Sequence, residues 1–128
     1  PRVLGIVGYC MGGGLALRTA ARFPDRVAAV ASFHGSNLAT DSADSPHRLL
    51  AQIKAEIYVG HADNDHSSPP EQIDRLKAEL ERVGARYEAE LYAGAAHGFT
   101  MEDLPAYHRD ASEKHWRKLL ALLNRQRL

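Results

Sequence analysis

The stretch Val3-Leu4-Gly5-Ile6-Val7-Gly8-Tyr9-Cys10-Met11-Gly12-Gly13-Gly14-Leu15-Ala16-Leu17 decides the fold. Its first part is a near-continuous apolar run, the pattern of a strand covered on both faces of a parallel sheet. Its last part is helix-forming, so the chain must turn sharply around Cys10. Glycines two positions either side of Cys10 let the strand and helix backbones pass close together. A strained strand-to-helix turn with a nucleophilic side chain at its apex is the shape of a nucleophile elbow. Cys10, the only cysteine in the chain, is therefore the first candidate for covalent chemistry.

Outward from the elbow, short β-rich runs alternate with longer helical patterns, which predicts an α/β fold with a parallel sheet flanked by helices. Gly12 to Phe23 reads as a helix, with Leu15, Ala16, Ala20 and Phe23 at helical spacing and Pro24 as its stop. Val27 to Phe33 is a second buried strand, ending in the polar turn His34-Gly35-Ser36-Asn37. Ser45-Pro46 starts a short helical turn over Leu49, Leu50 and Ile53. Ala55 to Gly60 is a third strand, and His61 to Ser68 reads as a polar loop. Glu71 to Val83 is a helix with the stripe Ile73, Leu76, Leu80 and Val83, stopped by Gly84. Tyr87 to Tyr92 alternates as a fourth strand and leads into Gly94-Ala95-Ala96-His97-Gly98-Phe99. The last helix, roughly Tyr107 to Arg125, is predicted to bury Trp116, Leu119, Leu120 and Leu123. Arg109, Glu113 and Arg117 read as its solvated ion-pair face.

A chain of 128 residues is expected to form a single domain over 1–128. Sixteen basic and sixteen acidic residues leave no net charge, and no segment concentrates one sign. Nucleic-acid and membrane-surface binding are accordingly not expected, whereas a small neutral or weakly charged ligand is. A lone cysteine makes no intrachain disulfide, no run of about 18 apolar residues exists, and Pro1-Arg2-Val3 has no signal-peptide character. The expected setting is soluble and cytoplasmic. Asp63-Asn64-Asp65 lacks the glycine and glutamate of a calcium loop, and His61 and His66 have no second cluster at zinc-ligand spacing. No metal and no cofactor is expected.

Ligands of open α/β sheets gather at the carboxyl ends of the strands, which here bear Cys10, His34, the Asp63/Asp65 loop and His97. A thiol nucleophile needs a base, and the base needs a partner that fixes its tautomer. Cys10, an aspartate of the third loop and His97 supply these in the chain order nucleophile, acid, histidine of α/β-hydrolases. The first helix points its positive end at Cys10 and is expected to lower the thiol pKa from about 8.5. The Met11 backbone N–H is the candidate oxyanion-hole donor. His34 is read as a hydrogen-bonded structural histidine or a pocket-lining one.

Gly8-Tyr9-Cys10-Met11-Gly12-Gly13, Phe33-His34-Gly35, Asp65-His66-Ser67-Ser68-Pro69 and Gly94-Ala95-Ala96-His97-Gly98-Phe99 together resemble the dienelactone hydrolase family. The resemblance runs from Pro1 to about Leu123 and corresponds to the C-terminal half of the α/β-hydrolase fold. It implies a cysteine-dependent hydrolase of small esters or lactones, with Cys10 as nucleophile, His97 as base and Asp65 as acid. Pro69, four residues after Asp65, favours that aspartate over Asp63. His34 and Phe99, in the matching motifs, are the candidate substrate contacts. Dienelactone-selective members carry an arginine shortly after the histidine, where Thr100, Met101 and Glu102 stand here, which argues against dienelactone itself. The family's first strands, and the loop that donates a second oxyanion N–H, have no counterpart in this sequence.

Leu4 to Val7 would then be an apolar sheet edge, an invitation to pairing. Expected partners along strand 3–8 are a second copy of the chain or a missing N-terminal half. The competing functional reading is a catalytically inactive half-domain that acts as an assembly or dimerisation module.

Overall fold

Every residue of Val27–Phe33 is buried, as an unbroken apolar run requires of an inner parallel strand. The computed structural model describes residues 1–128, in the order β1 (Leu4–Tyr9), α1 (Met11–Arg22), β2 (Val27–Phe33), a 3-10 turn (Pro46–Gln52), β3 (Glu56–Ala62), α2 (Pro70–Arg82), β4 (Tyr87–Tyr92) and α3 (Arg109–Arg125). The four strands pair in chain order, all parallel. Tyr9 lies opposite Phe33, Phe33 opposite Gly60, and Ala62 opposite Tyr92. All four strands therefore end at one edge.

Two apolar layers cover the sheet. Leu17 and Ala20 of α1, Leu50 of the 3-10 turn and Leu76 and Leu80 of α2 pack on Val30, Ile57 and Val59. Leu119 and Leu122 of α3 pack on Phe33, Tyr58 and Tyr92 from the other side. Fully burying a leucine contributes about 1.5–3 kcal/mol, so these few side chains fix where each helix lies. Gly84, at φ 69, ends α2 as the pattern predicts. No helix is long and apolar enough to cross a membrane.

Two elements differ from the sequence pattern. β3 continues through His61 and Ala62, which pair with Leu91 and Tyr92, because a parallel ladder to β4 outlasts the apolar run. His61 is thus a buried strand residue and not part of a polar loop. In α3 the buried residues are Ala111, Ser112, His115, Leu119 and Leu122, whereas Trp116 and Leu120 are more than half exposed. The helix is turned so that His115 faces the core, where Tyr9 Oη donates to its Nε2 at 2.6 Å and its Nδ1 donates to the Ser112 carbonyl at 3.0 Å. A fully satisfied imidazole can be buried, and periodicity alone does not reveal that satisfaction. Nor do Arg109, Glu113 and Arg117 pair with one another. Instead Lys118 and Arg125 reach across to Glu88 of β4 and Glu56 of β3.

A methyl group on Gly8 would overlap the Gly12 carbonyl oxygen, whereas one on Gly12 meets nothing within 4 Å. Gly8→Ala is expected to destabilise by about 3 kcal/mol through that overlap. Gly12→Ala is expected to be neutral, or stabilising by up to about 1 kcal/mol. Urea unfolding of the two variants checks the contrast.

Both ring nitrogens of His61 lack a hydrogen-bond partner, and burial pushes its pKa down from 6.5 to about 4. Between those values the unfolded chain binds a proton that the folded one refuses, so stability falls as pH drops from 6.5 toward 4. His61→Leu is expected to raise the melting temperature at pH 7, by relieving unsatisfied nitrogens, and to flatten its decline across that window. A calorimetric pH series on the two proteins reads both effects.

Candidate active site

Cys10 sits between β1 and α1 at φ 55 and ψ −126, a backbone conformation that a residue with a Cβ rarely adopts. Its N–H donates to the Phe33 carbonyl at 3.2 Å. Its carbonyl accepts from Gly13 at 3.0 Å and from Ser36 at 3.2 Å. The elbow is therefore pinned to the end of β2, and the thiol is left partly exposed at the carboxyl edge. Met11 opens α1, so its N–H is among the amides that a helix leaves without an intrahelical acceptor.

His34 follows β2 directly, at φ 37, with its N–H bonded to the Gly60 carbonyl at 2.8 Å. The side chain is fully buried. Nδ1 lies 3.3 Å from Cys10 Sγ, and Nε2 lies 2.8 Å from Thr100 Oγ1. A proton on Nε2 satisfies both contacts, with the thiol donating to Nδ1 and Nε2–H donating to Thr100. Burial first, then the neighbouring His97, push the His34 pKa down to about 4, so this imidazole is neutral near pH 7.

Asp65 comes from the loop after β3, and its side chain is only 4% exposed. Oδ2 accepts from His97 Nδ1 at 2.7 Å, and Oδ1 accepts from the Ser67 hydroxyl at 2.7 Å and the Ser67 N–H at 2.9 Å. Burial alone would raise the carboxyl's pKa, but the Ser67 and His97 hydrogen bonds outweigh it and hold Asp65 below the ordinary value. Asp63 is turned away and accepts from the Gly94 N–H at 2.9 Å. His97, in the loop after β4, packs edge-on against His34 with ring centroids 5.5 Å apart.

One ligand atom each of Cys10, His34 and His97 lies within 4.8 Å of the others. Burial, with the Asp65 charge second, pushes the Cys10 thiol up, against the lowering expected from the positive end of α1 alone. Phe99 is fully buried, stacked on Tyr92 and edge-on to His34, so it supports the site from behind. A groove of about 490 Å³ runs along the Asp65 loop beside Pro69, Ile73 and Leu91. A smaller one of about 230 Å³ opens at the elbow beside Met11, Arg18, Ser36 and Asn37. The second lies beside Met11, the residue next to Cys10 in the chain.

Sequence reasoning brought Cys10, His34, Asp65 and His97 to one edge, and the structure brings them together. It missed the direct Cys10–His34 contact, the anchoring of His34 by Thr100 and the double hold of Ser67 on Asp65. Ser67 was readable, because an aspartate two residues before a serine forms such a turn. Thr100 gives no local signal at all.

A parallel sheet flanked by helices, with these residues on successive strand ends, is the α/β-hydrolase arrangement. The chain belongs to the dienelactone hydrolase family, whose family model matches residues 1–127. An Escherichia coli protein named "Putative carboxymethylenebutenolidase" is 30% identical over 118 residues, covering 90% of this chain and 43% of that protein. A protein of the same name from Synechocystis is 27% identical over 125 residues, covering 95% and 50%. The chain thus spans about half the length of the curated relatives it matches. Among solved structures, a Klebsiella pneumoniae "Putative Dienelactone Hydrolase" superposes with a TM-score of 0.86 at 24% identity, covering 94% of this chain and 51% of that one. A dienelactone hydrolase-like promiscuous phosphotriesterase from metagenomic libraries gives 0.78 at 22%, covering 95% and 52%. At these identities the structural likeness speaks for the fold.

Proposed function

We propose that the chain carries the covalent machinery of a cysteine hydrolase for small esters or lactones. The observation that carries this reading is the 2.7 Å bond from His97 Nδ1 to Asp65, made by an imidazole whose ring lies beside the thiol of an elbow cysteine. Nδ1–H is committed to the carboxylate, so Nε2 keeps its lone pair and is the base. It takes the thiol proton as sulfur attacks the carbonyl carbon, and Met11 N–H supports the oxyanion. The tetrahedral intermediate expels the alkoxide or enolate, which receives the proton from His97. Water, deprotonated by the same nitrogen, then cleaves the thioester and restores the thiol.

The name carboxymethylenebutenolidase borne by the relatives supports a lactone among the substrates. Thr100, Met101 and Glu102 place no cation next to His97 to hold a substrate carboxylate, and Asp65 is already charged, which favours a neutral substrate. The lone thiol, kept usable in a reducing compartment, supports a cytoplasmic setting.

With p-nitrophenyl acetate the protein is expected to show a burst and an acetyl adduct on Cys10 by mass spectrometry. Cys10→Ala should fall to the uncatalysed rate. Asp65→Asn should lower kcat by about 10²–10⁴-fold with a smaller change in KM, because it disturbs the tautomer and orientation of the base. Turnover unchanged in Cys10→Ala rejects the nucleophile.

The unpaired edge of β1 supports a second reading, in which the chain is an assembly module rather than a catalyst. Val3, Leu4 and Val7 are each at least 39% exposed there, and such an edge pairs readily with a strand of a second copy. Light scattering should then give a dimer that Val7→Lys dissociates. A monodisperse monomer at tens of micromolar excludes this pairing.

A further inference from the structure

Hydrolysis by a thiol needs one imidazole base, and the Cys10 sulfur is faced by two. His34, fully buried and 3.3 Å away at Nδ1, has no task in the mechanism above. The sulfur and two imidazole nitrogens, all within 4.8 Å of one another, come from three different strand ends. This donor set suits Zn2+ rather than the oxygen-seeking Mg2+ or Ca2+. Tetrahedral zinc, with Zn–S of about 2.3 Å and Zn–N of about 2.0–2.1 Å, needs ligand-to-ligand edges of about 3.4–3.6 Å. The Cys10–His34 edge is already near that length, and the widest must close by at most about 1.4 Å, within reach of small side-chain rotations.

A second feature lies behind the ligands. Zinc-binding histidines are oriented by a hydrogen bond from the ring nitrogen that does not meet the metal, to a carboxylate, carbonyl or water. His97 Nδ1 donates to Asp65 at 2.7 Å, and His34 Nε2 donates to the Thr100 hydroxyl at 2.8 Å. The His34 ring is thereby held with its Nδ1 toward the thiol, and the Asp65 bond leaves Nε2 as the free nitrogen of His97.

We propose that Cys10 Sγ, His34 Nδ1 and His97 Nε2 form a three-ligand site for Zn2+, whose occupancy reversibly masks the nucleophile. The masking rests on the hydrolase reading, and the metal binding does not. Binding exchanges a proton for the metal: the Cys10 thiol and Zn2+ give a zinc thiolate and one H+ released to solvent, with no change of oxidation state. The imidazoles stay neutral and each donates a lone pair. The thiolate and the nearby Asp65 carboxylate together balance the two positive charges. His97 is 35% exposed, so the ion has an entry path, and water completes the fourth position.

Titrating Co2+, the spectroscopic stand-in for Zn2+, into chelator-treated protein tests the site. One equivalent should produce a thiolate-to-cobalt charge-transfer band and the strong visible bands of a tetrahedral ion, both bleached by Zn2+. Cys10→Ser should lose the charge-transfer band. His34→Gln should weaken Co2+ binding at least ~10-fold, and Thr100→Val, which keeps all three ligands and spares the buried ring, should weaken it by roughly 10-fold or more. In the p-nitrophenyl acetate assay Zn2+ should inhibit and EDTA should restore the rate. Absence of a thiolate band overturns the site, as does binding that survives Cys10→Ser and so belongs to the Asp63–His66 loop. Turnover that is equal with and without bound Zn2+ overturns the masking. A metal-free protein with no esterase activity counts against the hydrolase reading and removes the masking, while the cobalt spectrum still decides the site.

Discussion

The backbone of Cys10 is the constraint on which the site depends. Holding a residue with a Cβ at positive φ costs on the order of 1–3 kcal/mol, and such a conformation persists only where its surroundings over-determine it. Here both polar groups of the Cys10 backbone are tied to the end of β2 or to α1. The same lateral bonding continues across the edge. His34 N–H reaches Gly60, Asn37 N–H reaches Ser67 at 2.7 Å, and Asp63 N–H reaches Ala95 at 2.6 Å. The loops after the four strands therefore form one bonded row, and the side chains they carry inherit the rigidity of the sheet. Glycine is required where the elbow is tightest, at Gly8, because the helix backbone fills the space its side chain would need.

That rigidity sets the electrostatics. Burial and the Asp65 charge both favour the neutral thiol, and burial keeps His34 neutral. The site thus holds a thiol beside the neutral His34 imidazole, with its negative charge on Asp65 held by Ser67 and His97. A carboxylate that penalises an isolated thiolate stabilises an imidazolium. In the proposed mechanism its effect is to couple loss of the thiol proton to its arrival on His97, so charge separates when a carbonyl is there to accept the sulfur's electrons.

Most of this frame was legible in the sequence because it depends on local pattern. The run ending at Cys10, the breakers Pro24 and Gly84 and the unbroken Val27–Phe33 stretch each fix an element without reference to the rest of the chain. Parallel connectivity then sends every following loop to the same edge, so the meeting of Asp65 with His97 follows from topology. What escaped was decided by partners distant in sequence. His115 turns inward because Tyr9, 106 positions away, bonds it, and α3 rotates to suit, leaving Trp116 outside. His61 is held in β3 by its ladder to β4, despite nitrogens that find no partner. Thr100 acquires its importance only from a ring placed 66 residues earlier.

The two distinctive surfaces of the chain, the reactive edge and the open side of β1, are coupled unequally. β1 bonds only to β2, and the Cys10 elbow is its direct continuation, whereas Asp65 and His97 are held by β3, β4 and the bonds between their loops. A strand added along Leu4–Val7 would act first on Gly8 and the elbow, and would reach Asp65 and His97 only through β2. Pairing at that edge should therefore alter the placement of the Cys10 thiol more than the Asp65–His97 bond. The Cys10 sulfur lies 3.3 Å from His34 Nδ1, a neighbour that follows β2, so a displacement of β1 would be felt first at that contact.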